Sequence, residues 1–334
     1  MSNPDLPQRV ANFLQRHRPS GQTVAVALSG GIDSMVLLDV LASLAAGSDA
    51  QGHTLQAIHV NHGISANADI WADFCRAQCE RRGISLTVAV VNVDRHAGMG
   101  LEAAAREARY GALMQSGAAF IASAQHQDDQ AETVLHQLLR GTGLNGMAGM
   151  GERRELRPGQ ALLRPLLDVR RVEIEDYAAL HQLQWIEDES NNDTVFTRNF
   201  IRHEVLPVIS RRFPQYAESL SRAARHAAES AELLESLAML DLQWNGIEAR
   251  ADALDTLPLF RQVNALYHWL RWQKVAAPSR LQLADWATQL FRAPPAGKAQ
   301  QAGGHGFVIR RKQNRLMLLP GCAPGEKVAH QLED

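Results

Sequence analysis

Residues 29–34 read Ser-Gly-Gly-Ile-Asp-Ser, and residues 126–133 read His-Gln-Asp-Asp-Gln-Ala-Glu-Thr. The first run suits an anion. Gly30 and Gly31 carry no Cβ, so the backbone can come close to a phosphate. A helix that follows offers free N–H groups and the positive end of its dipole. The hydroxyls of Ser29 and Ser34 can donate to phosphate oxygens. Asp33 repels a phosphate directly, and belongs beside one only when a divalent cation sits between them. The loop lacks the lysine of GxxxxGK[ST], which disfavours an enzyme that transfers a γ-phosphate from a P-loop. The second run sets Asp128, Asp129 and Glu132 within five residues. Such a cluster is costly without a cation. Asp129 with Asp33 can hold Mg²⁺. Glu132 lies three residues on, on the same helix face as Asp129, and can meet a substrate ammonium. Taken alone, this run is equally a helix start capped by Asp128 or Asp129, with acidic residues matched to the dipole.

Both runs need strands to aim them. Residues 23–29 are apolar and β-branched and stop at the glycine pair, and residues 34–46 have helical composition. The alternation repeats, with strands expected at 54–62, 85–93 and 118–124 and helices at 66–82, 101–116 and 128–140. Short apolar strands alternating with helices predict βαβ units and a parallel sheet covered on both faces. Ligands of such sheets bind at the carboxyl ends of strands, near a switch point. His59 falls at the end of the second strand. Arg106 and Arg109 lie three apart on one helix, so either can reach a phosphate or Glu132.

The texture changes after Arg140. Residues 141–151 hold five glycines and read as a mobile loop beside the site, followed by Arg153, Arg154 and Arg157. Residues 168–184 look helical, and 198–240 form a long helical region divided by Pro207 and Pro214. Helices are expected at 257–273 and 279–291. Residues 305–319 alternate around Gln313-Asn314 and predict a β-hairpin. The expected fold class is α/β, with a parallel-sheet domain over 1–195 and a mostly helical domain over 196–334 that ends in the hairpin.

At 334 residues, two domains are the natural division. No apolar stretch reaches the ~18 residues of a membrane span. Met1–Ser20 carries Arg9, Arg16 and Arg18 and lacks the apolar run of a secretory signal, so a cytoplasmic protein with no membrane partner is expected. Residues 1–193 hold 16 Arg against 23 Asp and Glu, whereas 194–334 hold 18 Lys and Arg against 13 Asp and Glu. The basic half suits a polyanion. Cys75, Cys79 and Cys322 are odd in number and widely divided, which argues against a disulfide framework.

Together SGGIDS, HVNHGIS (59–65), LEAAAREARY (101–110), HQDDQAET, LLRGTG (138–143), RPLL (164–167) and ESNND…TRNFIR (189–202) resemble the tRNA(Ile)-lysidine synthetase family. SGGxDS alone occurs across PP-loop ATP pyrophosphatases, and the other motifs are more specific. The resemblance implies a PP-loop (adenine nucleotide alpha hydrolase-like) domain. It implies ATP with Mg²⁺, L-lysine, and the CAU-anticodon isoleucine tRNA as reactants, with lysidine, AMP and pyrophosphate as products. It implies ATP at Ser29, Gly30, Gly31, Ile32, Asp33, Ser34, His59, Arg140 and Gly141, and Mg²⁺ at Asp33 and Asp129. Lysine falls to Asp129, Glu132 and Arg106, and catalysis to Asp33, Asp129 and Arg106. Arg198, Arg202, Arg211 and Arg212 would track the RNA. Nothing in the sequence compels a homodimer, which is carried as one option. Rival readings are a tRNA thiolase, which needs a sulfur-carrying cysteine, and a small-molecule synthetase. A non-enzymatic RNA-binding module is the remaining one.

Overall fold

The computed structural model describes residues 5–17, 21–47, 54–63, 65–92, 101–189, 194–246, 248–275, 278–292, 300–304, 306–312 and 314–320. Gln313, Cys322 and residues 190–193 of the ESNND motif lie outside them. The chain divides into two compact units, Met1–Ala227 and Ala228–Asp334.

In the first unit, α1 (Leu6–His17) precedes β1 (Val24–Ala27), α2 (Ile32–Ala46), β2 (Leu55–Asn61), α3 (Ala68–Glu80), β3 (Ser85–Val90), α4 (Leu101–Met114), β4 (Phe120–Ala122) and α5 (Gln127–Leu139). Then follow α6 (Leu144–Met147), β5 (Arg153–Arg157), β6 (Gln160–Leu163), α7 (Arg171–Leu180), α8 (Thr197–Phe200), a π turn (Ile201–Val205) and α9 (Leu206–Arg212). The six strands run in the order β3-β2-β1-β4-β6-β5. All pairs are parallel except β5 with β6. β1 is central, with Val24 opposite Leu55 on one side and Phe120 on the other. Alternate β1 residues feed two cores, as the strand period requires. Val24, Val26 and Leu28 pack with Val10, Met35, Cys75 and Ile174. Ala25 packs with Ile58, Ile121, Leu162 and Leu113 of α4. Each predicted strand and helix of the alternating region is present.

Two local expectations change. Residues 141–151 are not a loose loop. Leu144–Met147 is a short helix, and Gln130 clamps the segment's end: Nε2 donates to Met150 O at 2.9 Å and Oε1 accepts from Met150 N at 2.8 Å. The β5–β6 hairpin was not expected. Its turn is Pro158-Gly159, with Gly159 at φ +80°.

α10 (Tyr216–Asp241) runs through the division between the units. Composition puts the change of texture at 195/196, whereas residues 197–227 belong to the first unit. Their side chains explain this, because Arg202 and Tyr216 bind carboxylates of α5. The second unit holds β7 (Ala249–Arg250), a 3₁₀ turn (Asp252–Thr256), α11 (Leu259–Trp272), α12 (Arg280–Phe291), β8 (Gln300–Gly304), β9 (Phe307–Lys312) and β10 (Arg315–Pro320). The predicted hairpin is β9–β10, inside a four-stranded antiparallel sheet ordered β7-β10-β9-β8. Leu266, Trp269, Trp286, Leu290, Ile309 and Leu316 form its core. Among the described residues no helix is long and apolar enough to cross a membrane.

Candidate active site

The carboxyl ends of β1 and β4 lie side by side, and both sequence runs meet there. β2 and β4 flank β1 and are connected in opposite directions, so this is the switch point of the sheet. After β1 the loop is tied by its serines. Ser34 Oγ accepts from the N–H groups of Ser29 (3.2 Å) and Gly30 (3.1 Å) and donates to Gly31 O (2.9 Å). Gly31 N donates to Ser29 Oγ at 3.3 Å. Gly30 has φ +90°, and a Cβ there would stand 2.9 Å from Ile186 Cδ1 and 3.3 Å from Cys75 Sγ. Ile32 opens α2, whose N-cap Gly31 gives no side-chain cap, so the helix presents backbone donors to a ligand. A cavity of about 660 Å³ adjoins the loop, lined by Leu28, Ser29, Gly31, His59, Asn61 and Ile186 among others. His59 Nδ1 donates to Leu28 O at 2.9 Å, and burial lowers its pKa, which keeps the ring neutral.

After β4, the cap of α5 is His126, neither Asp128 nor Asp129. His126 Nδ1 accepts from Asp129 N at 3.4 Å, and Asp129 Oδ2 accepts from His126 N at 3.1 Å. Asp128 serves elsewhere. Its carboxylate accepts from Arg171 N, at the first turn of α7, at 2.8 Å and from Tyr216 Oη at 3.1 Å. Asp33 and Asp129 flank His126, whose Nε2 lies 3.8 Å from one and 3.5 Å from the other. Burial raises the pKa of Asp33, and Asp129 adds to it, against the charges of His126, Arg171 and Arg202. Two carboxylates are the hard oxygen donors that Mg²⁺ takes, leaving its other positions to phosphates and water. Among the described residues no group of three or more His, Cys, Asp or Glu side chains is placed to hold a metal ion.

Two arginines neutralise this centre, and the sequence reading missed the first. Arg171 Nη1 donates to both oxygens of Asp33, at 2.7 and 2.8 Å. Arg202, expected on RNA, instead grips the acidic pair. Its Nε and Nη2 reach Glu132 at 2.6 and 2.9 Å, and Nη2 also reaches Asp129 Oδ1 at 2.9 Å. The reason is the register of the π turn, which turns Arg202 toward α5. Arg106, expected on the substrate with Glu132, donates instead to Tyr110 Oη at 3.3 Å. Arg140 and Gly141 close α5 at its far end, about 16 Å along the axis from Asp129. No described contact links them to the phosphate loop. Arg211 and Arg212 are exposed at the end of α9, and Arg198 is half-buried on α8. Burial pushes the thiol of Cys75 up to about 12 and that of Cys79 to about 11, which marks both as packing residues.

Residues 3–209 match the PP-loop domain family, and residues 250–317 match the TilS substrate binding domain family. A tRNA(Ile)-lysidine synthase of Serratia proteamaculans is 42% identical over 326 residues, covering 96% of this chain and 72% of that protein. The chain belongs to the tRNA(Ile)-lysidine synthase family. Other synthases of this family, from Azoarcus sp. and Pseudomonas fluorescens, are 45% and 43% identical, each over 80% of this chain and 60% and 62% of their own lengths. The chain thus spans about three-fifths of these relatives. Among solved structures, the U34-tRNA thiolase NcsA of Methanococcus maripaludis superposes with a TM-score of 0.58 at 20% identity, over 67% of this chain and 78% of that one. That likeness shows a shared fold. Family membership agrees with the motif resemblance, two of whose segments, SGGIDS and HQDDQAET, the sheet brings together.

Proposed function

We propose that this chain ligates L-lysine to C2 of the wobble cytidine in the CAU anticodon of an isoleucine tRNA, converting ATP to AMP and pyrophosphate. The observation that carries the reading is the meeting, at the carboxyl ends of β1 and β4, of a phosphate loop and an acidic pair, Glu132 buried and Asp129 half-buried, that holds a cationic side chain. The guanidinium of Arg202 stands where a substrate ammonium would bind. Family membership supports ATP and a tRNA as reactants; L-lysine and a cytoplasmic setting belong to the proposal.

The chemistry has two steps. The C2 oxygen of cytosine attacks the α-phosphorus of ATP, the bond to the β-phosphate oxygen breaks, and pyrophosphate leaves. The uncapped start of α2, beside the exposed Ser29, faces the charge that develops on the phosphates. Mg²⁺ held by Asp33 and Asp129 would neutralise phosphate oxygens. The lysine Nε then attacks C2, a carbon–nitrogen bond forms, and AMP departs with the oxygen. Asp129 and Glu132 orient the amine, chiefly a positioning effect. Glu132, whose pKa burial raises, is the acceptor for the proton the amine sheds. Arg198, Arg211 and Arg212 track the RNA backbone. The target base must leave the anticodon stack, which single-stranded loops permit. The reading needs no second copy of the chain.

The test is AMP and pyrophosphate formation from ATP with the CAU isoleucine tRNA transcript, with and without L-lysine. A lysine-dependent modified cytidine that Asp33→Ala and Asp129→Ala both abolish supports the reading. Pyrophosphate released without RNA, in response to a small acceptor, refutes the substrate assignment.

A further inference from the structure

Tyr110 of α4 lies among four guanidiniums. Those of Arg106, Arg109 and Arg154 stand 5.3, 5.9 and 5.4 Å from its ring centre. Arg164, directly after β6, lies within electrostatic reach of Tyr110 and is only 3% exposed. Its Nε donates to Gln125 Oε1 at 3.0 Å and its Nη1 to Gly151 O at 2.6 Å. All of these partners are neutral. Among the described residues no carboxylate pairs with Arg106, Arg154 or Arg164. A buried guanidinium is costly unless paired, and three further cations around one ring add repulsion. Burial pushes the Tyr110 phenol up, yet the summed charge of Arg106, Arg164, Arg109 and Arg154 outweighs it and the net direction is down. An anion entering this cluster would relieve both costs.

We infer that Arg106, Arg154 and Arg164, arranged around Tyr110, bind a backbone phosphate of the RNA beside the target base. This rests on the RNA substrate proposed above. The cluster lies at the β4–β6 end of the sheet edge, two strand spacings or roughly 10 Å from the phosphate loop after β1. That interval leaves room for a base between the ATP phosphates and the bound anion. Arg154 is exposed on edge strand β5, so the anion stays open to solvent on one side, as a linkage within a continuous strand must. A free amino-acid carboxylate is matched by one guanidinium fork and does not call for a cluster.

The experiment measures binding of a labelled CAU anticodon stem-loop by fluorescence anisotropy across a salt series, using the full chain. Arg154→Gln, at an exposed position, is expected to weaken binding about tenfold and to lower the salt slope by about 1. Arg164→Lys keeps a charge but loses the fork, and weakens binding as well. Stem-loops carrying a single neutral methylphosphonate provide the coupling. One linkage next to the target cytidine reproduces the loss on the wild type and causes no further loss on Arg154→Gln. Wild-type affinity and slope in Arg154→Gln overturn the site. So does a rise in KM for L-lysine with stem-loop affinity unchanged, because the anion is then a carboxylate. A wild-type chain that does not bind the stem-loop overturns the RNA reading itself, whereas a failure confined to the variants overturns the phosphate site alone.

Discussion

Glu132→Gln separates the charge of the acidic pair from its shape. Glu132 is 5% exposed and takes two hydrogen bonds from Arg202, at 2.6 and 2.9 Å. A hydrogen bond to a charged group contributes about 1.5–3 kcal/mol. The Arg202 side chain is 39% exposed, so solvent screens the pair and the lower part of that range applies. If a lysine ammonium takes the same seat, the amide forfeits about 2 kcal/mol, or about 30-fold in KM for L-lysine. The KM for ATP stays near wild type, since the loop after β1 is untouched. The assay is steady-state pyrophosphate release with lysine varied at saturating RNA and ATP. A pH series gives the second readout. Burial raises the pKa of Glu132 above its ordinary value of 4.5, with Asp129 adding to it against Arg202 and His126. As pH falls, Glu132 therefore protonates before ordinary carboxylates do, and the wild-type KM for lysine climbs while the pH is still above 4.5. The linkage to stability has the opposite sign. The native state holds this proton more tightly than the unfolded chain, so this group's contribution is greatest at low pH. It declines as pH rises from 4.5 through the folded value. Glu132→Gln removes both limbs. An unchanged KM for lysine, or an acid limb that persists in the variant, refutes the assignment.

Asp33→Asn is expected to cut pyrophosphate release by about 10²–10³-fold and to abolish ATP-dependent Mn²⁺ binding followed by electron paramagnetic resonance. Its unfolding midpoint should not fall, because the carboxylate removed is one that burial disfavours. Gly30→Ala forces a side chain into φ +90° against Ile186. It costs about 1–2 kcal/mol from the backbone alone, read by urea titration, and weakens ATP binding. Cys75 and Cys79 are buried with raised pKa values, so neither should react with iodoacetamide at pH 8 until the protein is denatured, as mass spectrometry can score. Leu266→Ala, fully buried in the second unit, is expected to destabilise by about 2–5 kcal/mol in chemical denaturation.

What the sequence revealed was local. Strand, glycine pair and helix start are adjacent in the chain, so their physics can be read from neighbours, and HQDDQAET follows its strand just as closely. What it hid was long-range. Arg171 is 138 residues from Asp33, and Arg202 is 70 from Glu132. Neither arginine differs in local context from an exposed helical one. The cap at His126 was missed because two aspartates beside it are better capping residues by type. The β5–β6 hairpin left a signal in Pro158-Gly159, a turn dipeptide between two short runs. β7 and β8 left none, being two and five residues of weak strand formers that exist because a longer hairpin offers them an edge. Gly303 helps there, since a Cβ would stand 2.5 Å from Phe307 O.

The π turn over Ile201–Val205 has a cause and a consequence. Pro207 has no N–H to give the carbonyl of His203, and its ring crowds that carbonyl. The chain widens just before it, and Leu206 N donates to Ile201 O, five residues back. Ile201 and Leu206 are both buried. In a regular helix five residues advance about 140° beyond a full turn, so the two side chains would not share an inner face. The extra residue thus sets the phase of everything downstream of it. Deleting one residue here would rotate one side of the break by about 100° relative to the other. Either Arg202 would leave Glu132 or Leu206 would leave the interior. This stretch should therefore tolerate no change in length.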